Sequence, residues 1–381
     1  MKIPFGKPLI DRTEIKLVNE VLRSPILTHG EKAITFEKEF SKFTNCNNCT
    51  TTSSCTSALH LSYLAIGLTK GDEVILPAQT HVATAHTVEI TGAKPVLVDA
   101  DKNGNINIDL IKQKINKKTK CITIVHFLGL PVDMYKILKL AKKYKLSVVE
   151  DCALALGAKI GKKHVGTFGD FGCFSFYPAK HITTGDGGML IAKSKKNIML
   201  VKKLKGFGVD KTFKERKTPG VYDVKYLGLN FRLSETQAAM GIAQMKKLSK
   251  ILKLRERNFH LLQHKLNNIE NLKVLRTGSN SKFKSAYYAL NIVLSKNLIK
   301  KRKYLINKLK LNGIGTSIYY PKIISDLTYY KKKYKIKDAN FPNAKKISYE
   351  CITLPIGPHI NLAGINYIAN RLKKNLRDLV K

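Results

Sequence analysis

One lysine of this sequence differs from the many others in what precedes and follows it. Lys180 comes after an aromatic and apolar segment, residues 173–177, which is broken by Pro178, and before the glycine-rich turn of residues 185–188. A strand that ends in this way places the lysine at its rim, pointing into a cleft. An amine that loses water there has a lowered pKa and becomes a nucleophile for an aldehyde. The alternative is an ordinary surface lysine, which the proline-broken approach disfavours.

Three further patterns could cooperate with such an amine. Asp151 ends an apolar strand, at the edge where α/β sheets bind ligands, and a carboxylate there can keep a pyridine nitrogen protonated. Residues 52–57, TSSCTS, precede a predicted helix, so their hydroxyls and amides suit a phosphate. Asn230 lies in the segment NFRL. Considered alone, each has an ordinary alternative: a loop aspartate, a serine helix cap and an inter-domain loop.

The elements that must position these residues alternate between strands and helices. Apolar strands are expected at 73–76, 95–98, 121–126, 146–149, 172–177 and 188–192, and helices at 57–68, 80–91 and 134–144. This alternation predicts an α/β fold with a mostly parallel sheet covered by helices, over residues 1–240. A long helix at 234–263, strands at 287–294 and 316–320 and a helix at 300–311 predict a smaller α+β domain, residues 241–381.

The composition excludes several classes of protein. No apolar run approaches the length of a membrane-spanning helix, and the first residues have no signal-peptide pattern, so we expect a cytoplasmic protein without a membrane partner. The seven cysteines include one C-x-x-C, Cys46 to Cys49, but no second ligand pair, so no metal site is expected. The net charge of +41 suits an anionic substrate. It also allows nucleic-acid binding, but the lysines are dispersed and no aromatics interleave with them, so we expect no nucleic acid.

Taken in order, these motifs resemble the DegT/DnrJ/StrS family of sugar aminotransferases that depend on pyridoxal 5′-phosphate (PLP). The resemblance runs nearly end to end, and the segment around Lys180 is its most specific part. The other matching segments are LTHG (27–30), SCTSAL (54–59), GDEVI (71–75), PAQTHVAT (77–84), GAKPV (92–96), VEDCA (149–153), GDFGCFSF (169–176) and LP (354–355).

The resemblance implies the type I PLP-transferase fold of aspartate aminotransferase and a role for each matching position. Lys180 would form the Schiff base with PLP, and Asp151 would pair with the pyridine nitrogen. His81 would stack against the ring. The cofactor phosphate would be held by Thr56, Ser57 and Ser175, and by Asn230 of the neighbouring subunit. The expected assembly is therefore a homodimer with shared active sites.

Two positions depart from the family pattern. The family usually carries Gln or His three residues after the ring aspartate, near the phenolic oxygen of the cofactor, whereas this sequence has Leu154. Leucine donates no hydrogen bond, so that contact is absent or comes from another residue. Cys55 replaces a usual glycine, which is tolerable if the backbone there has a negative φ.

The expected reaction moves an amino group, from glutamate by family resemblance, to a keto sugar, with pyridoxamine 5′-phosphate (PMP) as the intermediate form of the cofactor. Nucleotide-linked 4-keto-6-deoxy sugars are the commonest family substrates, followed by 3-keto sugars, and surface-glycan biosynthesis is the expected setting. The sugar pocket is expected to be built from residues 207–223 and from the region near Tyr319, Tyr320 and Lys322. One alternative is a sugar 3-dehydratase of the same family, which carries histidine in place of the lysine. Others are a PLP-binding regulator without catalysis and a basic nucleic-acid binder.

Overall fold

The structure is a computed structural model that describes residues 1–211, 215–218, 220–335 and 341–380. Its helices are α1 (Arg12–Leu22), α2 (Glu31–Thr44), α3 (Cys55–Ile66), α4 (Val82–Ile90), α5 (Ile108–Ile111), α6 (Met134–Tyr144), α7 (Lys195–Leu204), α8 (Glu235–Leu266), α9 (Arg302–Leu311), α10 (Thr328–Tyr334), α11 (Pro342–Glu350) and α12 (Leu362–Val380). Its strands are β1 (Cys49–Thr52), β2 (Glu73–Pro77), β3 (Lys94–Val98), β4 (Thr119–Val125), β5 (Ser147–Asp151), β6 (Lys159–Ile160), β7 (Lys163–His164), β8 (Phe171–Ser175), β9 (Gly188–Ala192), β10 (Leu272–Val274), β11 (Phe283–Lys284), β12 (Leu290–Leu294) and β13 (Cys351–Leu354).

A seven-stranded sheet forms the centre of the larger part, in the order β1-β9-β8-β5-β4-β2-β3. The pairs from β3 to β8 are parallel, and β9 is antiparallel to both β8 and β1. Two apolar cores lie against this sheet, one including Phe36, Phe40 and Phe174, the other Leu59 and Tyr63. The predicted mostly parallel α/β sheet is confirmed. The carboxyl ends of β5 and β8 lie side by side, which brings Asp151 next to Cys173.

The smaller part contains the antiparallel sheet β10-β12-β13. Its own apolar core joins α8, α9 and α12 to this sheet through residues such as Phe259, Leu305 and Ile368. A third sheet, β11-β6-β7, joins the two parts of the chain. Helix α8 begins with a capping box, in which Ser234 and Gln237 bond each other's backbone. In the described part of the chain, no helix has the length and apolar character needed to span a bilayer.

Two strand predictions differ from the structure. Residues 316–320 form no strand but a single bridge between Ser317 and Thr353. Residues 287–289 are also not part of β12, because the chain there bonds to the loop after β4: the Ala286 amide donates to the Gly129 carbonyl at 3.0 Å, and the Tyr288 amide to the Leu128 carbonyl at 3.2 Å. Long-range pairing of this kind leaves no signal in local periodicity.

Candidate active site

Lys180 lies in the connection between the antiparallel strands β8 and β9. Backbone contacts join the two ends of this connection to each other: Ser175 pairs with Gly188, and the Phe176 amide donates to the Gly187 carbonyl at 2.9 Å. Within it, the Lys180 amide donates to the Tyr177 carbonyl at 2.9 Å. The expected break at the rim of a strand is therefore present, in the form of a hairpin connection.

The Lys180 side chain is half-buried. Burial lowers the pKa of Lys180, and the nearby Cys55 and Asp151 oppose this shift. Its Nζ lies 5.5 Å from the centroid of the Tyr288 ring. Among the described residues, no carboxylate lies within ion-pair distance of Nζ. Partial desolvation without a close counter-ion favours the uncharged form of an amine, which is the form that can act as a nucleophile.

Asp151, only 4% exposed, is held by two donors. The Thr84 hydroxyl donates to Oδ2 at 2.8 Å, and the Ala153 amide donates to Oδ1 at 3.1 Å. In the described part of the chain, no lysine or arginine pairs with this carboxylate. A buried carboxylate with two hydrogen bonds and no cation is suited to a cationic ligand. Sequence reasoning missed Thr84, although it lies three residues after His81 on α4.

Loss of the Thr84 hydroxyl should weaken turnover without unfolding the protein. Thr84→Val keeps the shape but leaves Oδ2 of Asp151 without its donor, so we expect kcat to fall about 10-fold, the size of one hydrogen bond to a charge. Thr84→Ser should restore most of the rate. Thr87→Val, one turn along α4, removes a hydroxyl that bonds only the backbone of its own helix, and is the control for steady-state kinetics. Equal rates in the two valine variants would contradict this role.

The start of α3 forms a cluster of hydroxyls. Ser54 is the N-cap and accepts from the Ser57 amide at 3.1 Å. The Ser57 hydroxyl lies 2.8 Å from those of both Ser53 and Ser54, whereas Thr56 is exposed. The Cβ of any residue replacing Gly188 would lie 2.5 Å from the Ser54 carbonyl carbon, so only glycine allows β9 to approach this helix end. The amides of Cys55 and Thr56 belong to the first turn, where no partner exists inside a helix.

The remaining predicted site residues are His81, Ser175 and Asn230. His81 caps α4, accepting from the Ala83 amide, and its ring lies 5.8 Å from that of Tyr320. Burial lowers the pKa of His81; the charge of Asp151 opposes this shift and that of Lys180 adds to it, so the three groups lie near one another. Ser175 is half-buried at the end of β8. Asn230 is exposed and bridges Gly206, so within this chain the structure places it on the surface.

Leu154, the departure from the family pattern, lies in an apolar cluster. Its buried side chain packs with Phe127, Leu128 and Tyr288. The Tyr288 hydroxyl lies 2.6 Å from that of Tyr319, and the Tyr319 carbonyl accepts from Gln79 Nε2 at 3.0 Å. A tyrosine from the smaller part of the chain thus packs beside the leucine. Sequence reasoning missed Tyr288 but included Tyr319 and Tyr320 among candidates for the sugar pocket.

Next to Asp151, His126 and Glu150 form a closed polar network with Cys152 beside it. His126 Nε2 lies 3.1 Å from Glu150 Oε2, and His126 Nδ1 accepts from the Val132 amide at 3.0 Å. Glu150 also accepts from three amides of the loop before β8, those of Gly166, Phe168 and Gly169. The three side chains are close enough to suggest a metal site, but these bonds already use both carboxylate oxygens and both ring nitrogens. We interpret the network as structural.

Removal of the Glu150 charge should destabilise the fold. In Glu150→Gln an amide NH₂ faces backbone N–H groups that need an acceptor, so the free energy of unfolding should fall by about 3 kcal/mol. Chemical denaturation of the variant against Glu39→Gln, on an exposed face of α2, measures this effect. Equal stability of the two variants would show that the network contributes little.

Comparison with known proteins agrees with this geometry. Residues 8–373 match the profile of the DegT/DnrJ/EryC1/StrS aminotransferase family. The chain belongs to this family. It is 34% identical over 381 residues to GDP-perosamine synthase from Escherichia coli O157:H7, with 99% of each chain covered. It also superposes on PseC of Helicobacter pylori, an aminotransferase involved in the biosynthesis of pseudoaminic acid, with a TM-score of 0.93, 27% identity and coverage of 99% and 100% of the two chains.

A third similar protein bears on the cofactor. Spr1654 of Streptococcus pneumoniae, named as a sugar aminotransferase and solved in its PMP form, has a TM-score of 0.93 at 25% identity, over 99% of this chain and 100% of that one. The chain is therefore a PLP-dependent sugar aminotransferase with the fold of those enzymes. The residues present fit PLP: a buried carboxylate without a partner cation, a half-buried amine and a helix start rich in hydroxyls match its ring nitrogen, aldehyde and phosphate.

Proposed function

We propose that this enzyme transfers the amino group of glutamate to a nucleotide-linked 4-keto-6-deoxy sugar in the biosynthesis of a surface glycan. The observation that carries the proposal is the convergence of the Lys180 amine, the Asp151 carboxylate and the Ser54-capped start of α3. The name of the perosamine synthase, which contains GDP, supports a nucleotide-linked substrate. The positive charge of the chain favours such an anionic substrate.

The proposed roles follow from these positions. Lys180 holds the aldehyde carbon of the cofactor and, when its amine is free, takes a proton from the substrate carbon and returns it. Asp151, oriented by Thr84, faces the ring nitrogen. Ser57, with Thr56 and Ser175, binds the phosphate, and His81 lies against the ring. When bound, PLP supplies an electron sink for negative charge at the substrate carbon.

We further propose a homodimer in which Asn230 reaches the phosphate site of the partner subunit. This is supported by the exposed position of Asn230 and by a concentration of exposed apolar side chains in the adjoining stretch. They are Phe207, Val221, Tyr222, Val224, Tyr226, Leu227 and Leu229. Parts of the expected sugar-binding stretch 207–223, namely residues 212–214 and 219, lie outside the described residues. Mixing inactive Lys180→Ala with Asn230→Ala protein should restore activity in hybrids, since one of their two sites is intact.

The domain division and the location of the enzyme are also proposals. Residues 1–240 would form the PLP-binding domain and residues 241–381 the small domain, with α8 continuous through the boundary. A cytoplasmic location is supported by the cysteines, all seven of which are free and buried. The dehydratase alternative is disfavoured because Lys180 occupies the position where those enzymes carry histidine. A purely regulatory role would leave the arrangement of Lys180 and Asp151 without a purpose.

The test is a two-stage spectroscopic assay. Purified protein with added PLP should show a visible absorption band that glutamate removes. Nucleotide-linked 4-keto-6-deoxy sugars should then restore the band, and mass spectrometry should detect the amino sugar. A band that ignores glutamate would contradict the amino donor. A band that glutamate removes but no 4-keto sugar restores would contradict the sugar substrate, and 3-keto sugars would be tried next.

A further inference from the structure

The Cys-x-x-Cys motif of the sequence has no part in the cofactor chemistry. It lies between α2 and β1: Asn45 ends α2 with a left-handed backbone, the chain bends at Asn47, and Cys49 is the first residue of β1. Both thiols are free, and Cys46 and Cys49 are each 8% exposed. Their side chains are hydrogen-bond partners of each other. Two thiols are therefore held side by side near the surface.

The surroundings of Cys46 favour its thiolate form. The Thr44 hydroxyl donates to Cys46 Sγ at 3.3 Å. The hydrogen bond with Cys49 lowers the pKa of Cys46, and burial opposes this shift. Hydrogen bonds from Thr44, Ser41 and the Asn48 backbone lower the pKa further. The thiolate is the form of cysteine that attacks an oxidant, so Cys46 is the nucleophilic member of the pair.

Cys49 is the member that keeps its proton. Its Sγ donates to the Glu37 carbonyl at 3.2 Å. Its pKa is raised, first by the hydrogen bond with Cys46 and then by burial. The nearby cations are Lys202 and Lys205. An acidic thiol beside a second thiol is the arrangement of a nucleophilic and a resolving cysteine.

The other five cysteines have different surroundings. Burial raises the pKa of every one of them: Cys55, Cys121, Cys152, Cys173 and Cys351. A buried thiol with a raised pKa is inert toward oxidants. The chain thus contains its own unreactive thiols for comparison with the Cys-x-x-Cys pair.

We propose that Cys46 and Cys49 form a redox-active dithiol that hydrogen peroxide converts into an intramolecular disulfide. The Cys46 sulfur attacks one peroxide oxygen, the O–O bond breaks, and a sulfenic acid and hydroxide form. The Cys49 sulfur then attacks the sulfenic sulfur, the S–S bond forms, and water leaves. Each sulfur loses one electron and the peroxide gains both, so that, once hydroxide takes up the thiol proton, it ends as two water molecules.

The position of the pair gives this oxidation a route to the rest of the enzyme. Cys49 pairs with Ile191 of β9, and β1 ends at Thr52, opposite Gly188 and two residues before the Ser54 cap of α3. A disulfide would constrain the first residue of the strand that leads to the hydroxyl cluster. The chemistry of the two thiols does not depend on the proposed transamination. A transient disulfide is compatible with a cytoplasmic location.

Peptide mass spectrometry of the full chain tests the proposal. The protein is treated with hydrogen peroxide, the peroxide is removed, and the unfolded chain is alkylated. The tryptic peptide 43–70 contains Cys46, Cys49 and Cys55. We expect this peptide to be lighter by two hydrogen atoms and to carry one alkyl group, on Cys55. Dithiothreitol before alkylation should restore the other two alkylation sites.

Single variants separate the two steps of the oxidation. Cys46→Ser should lose the reaction with peroxide, whereas Cys49→Ser should stop at a sulfenic acid on Cys46, which dimedone traps. Cys55→Ser is the matched control and should form the disulfide as the wild type does. Circular dichroism checks that each variant is folded. Folded wild-type protein whose three thiols in this peptide all remain free after peroxide would overturn the proposal, as would a disulfide to Cys55 or to another chain.

Discussion

Lys180→Ala should reduce kcat by more than about 10⁴-fold, because one side chain supplies both the covalent attachment of the cofactor and the proton transfer at the substrate carbon. Lys180→Arg should be no better, since a guanidinium keeps its proton and cannot attack an aldehyde. Steady-state rates with glutamate and a keto sugar, together with the visible spectrum, measure both effects. The variant should still fold, because the hairpin connection is closed by backbone bonds on either side of the lysine.

The matched control is Lys162→Ala, which removes an exposed lysine of the same chain. It should leave both the rate and the spectrum unchanged. If a folded Lys180→Ala protein retained wild-type turnover and the normal visible band, the assignment of the cofactor lysine would be wrong, and another of the many lysines would have to be sought by mapping the attachment site.

Asp151→Asn should lower kcat by about 10³-fold, the upper end of what a single electrostatic contact contributes at an active site. The amide keeps the size of the side chain but loses the negative charge that keeps the ring nitrogen protonated. Binding of PLP should persist, because its phosphate and aldehyde are held elsewhere. Comparison of kcat with cofactor occupancy, measured by absorbance, separates the two effects.

Asp109→Asn serves as its control, since this aspartate is exposed near the start of α5. A cofactor analogue whose ring nitrogen carries a fixed methyl group, and hence a permanent charge, should restore part of the rate lost in Asp151→Asn. Failure of Asp151→Asn to slow the reaction would show that the protonation of the ring does not depend on this carboxylate.

The residues that sequence reasoning identified lie in short local patterns. Lys180 is marked by the proline before it and the glycines after it, and Asp151 by the apolar strand that it ends. Their supporting residues lack such marks because they come from distant parts of the chain. The Thr84 hydroxyl donates to the Asp151 carboxylate, 67 positions away in the sequence. Arg255 Nη2 donates to the backbone carbonyl of Lys180, 75 positions away. Only the folded sheet and α8 bring them together.

In the fold, too, the features that could be predicted depend on local sequence, and those that could not depend on contacts between distant parts of the chain. Alternating apolar segments predicted six of the seven strands of the central sheet, because buried strands of a parallel sheet are rich in apolar residues. The seventh strand, β1, was missed because its sequence is CTTT, which is buried but mostly polar. Residues 316–320 have a strand-like composition but form only one bridge, because no neighbouring chain continues the ladder. Leu154 could be recognised as a departure from the family, but its apolar partners, among them Tyr288, could not be inferred from the sequence.

The closure of the connection between β8 and β9 has a consequence for the thermodynamics of cofactor uptake. Backbone bonds at both of its ends, the Gly188 contact with Ser54 and the hydroxyl cluster of α3 are all formed within the protein itself. The entropy of ordering these segments is therefore lost during folding and not when the ligand arrives. Calorimetric titration of the cofactor-free enzyme should accordingly give a modest heat-capacity change, set by the ring that is covered and not by any coupled folding.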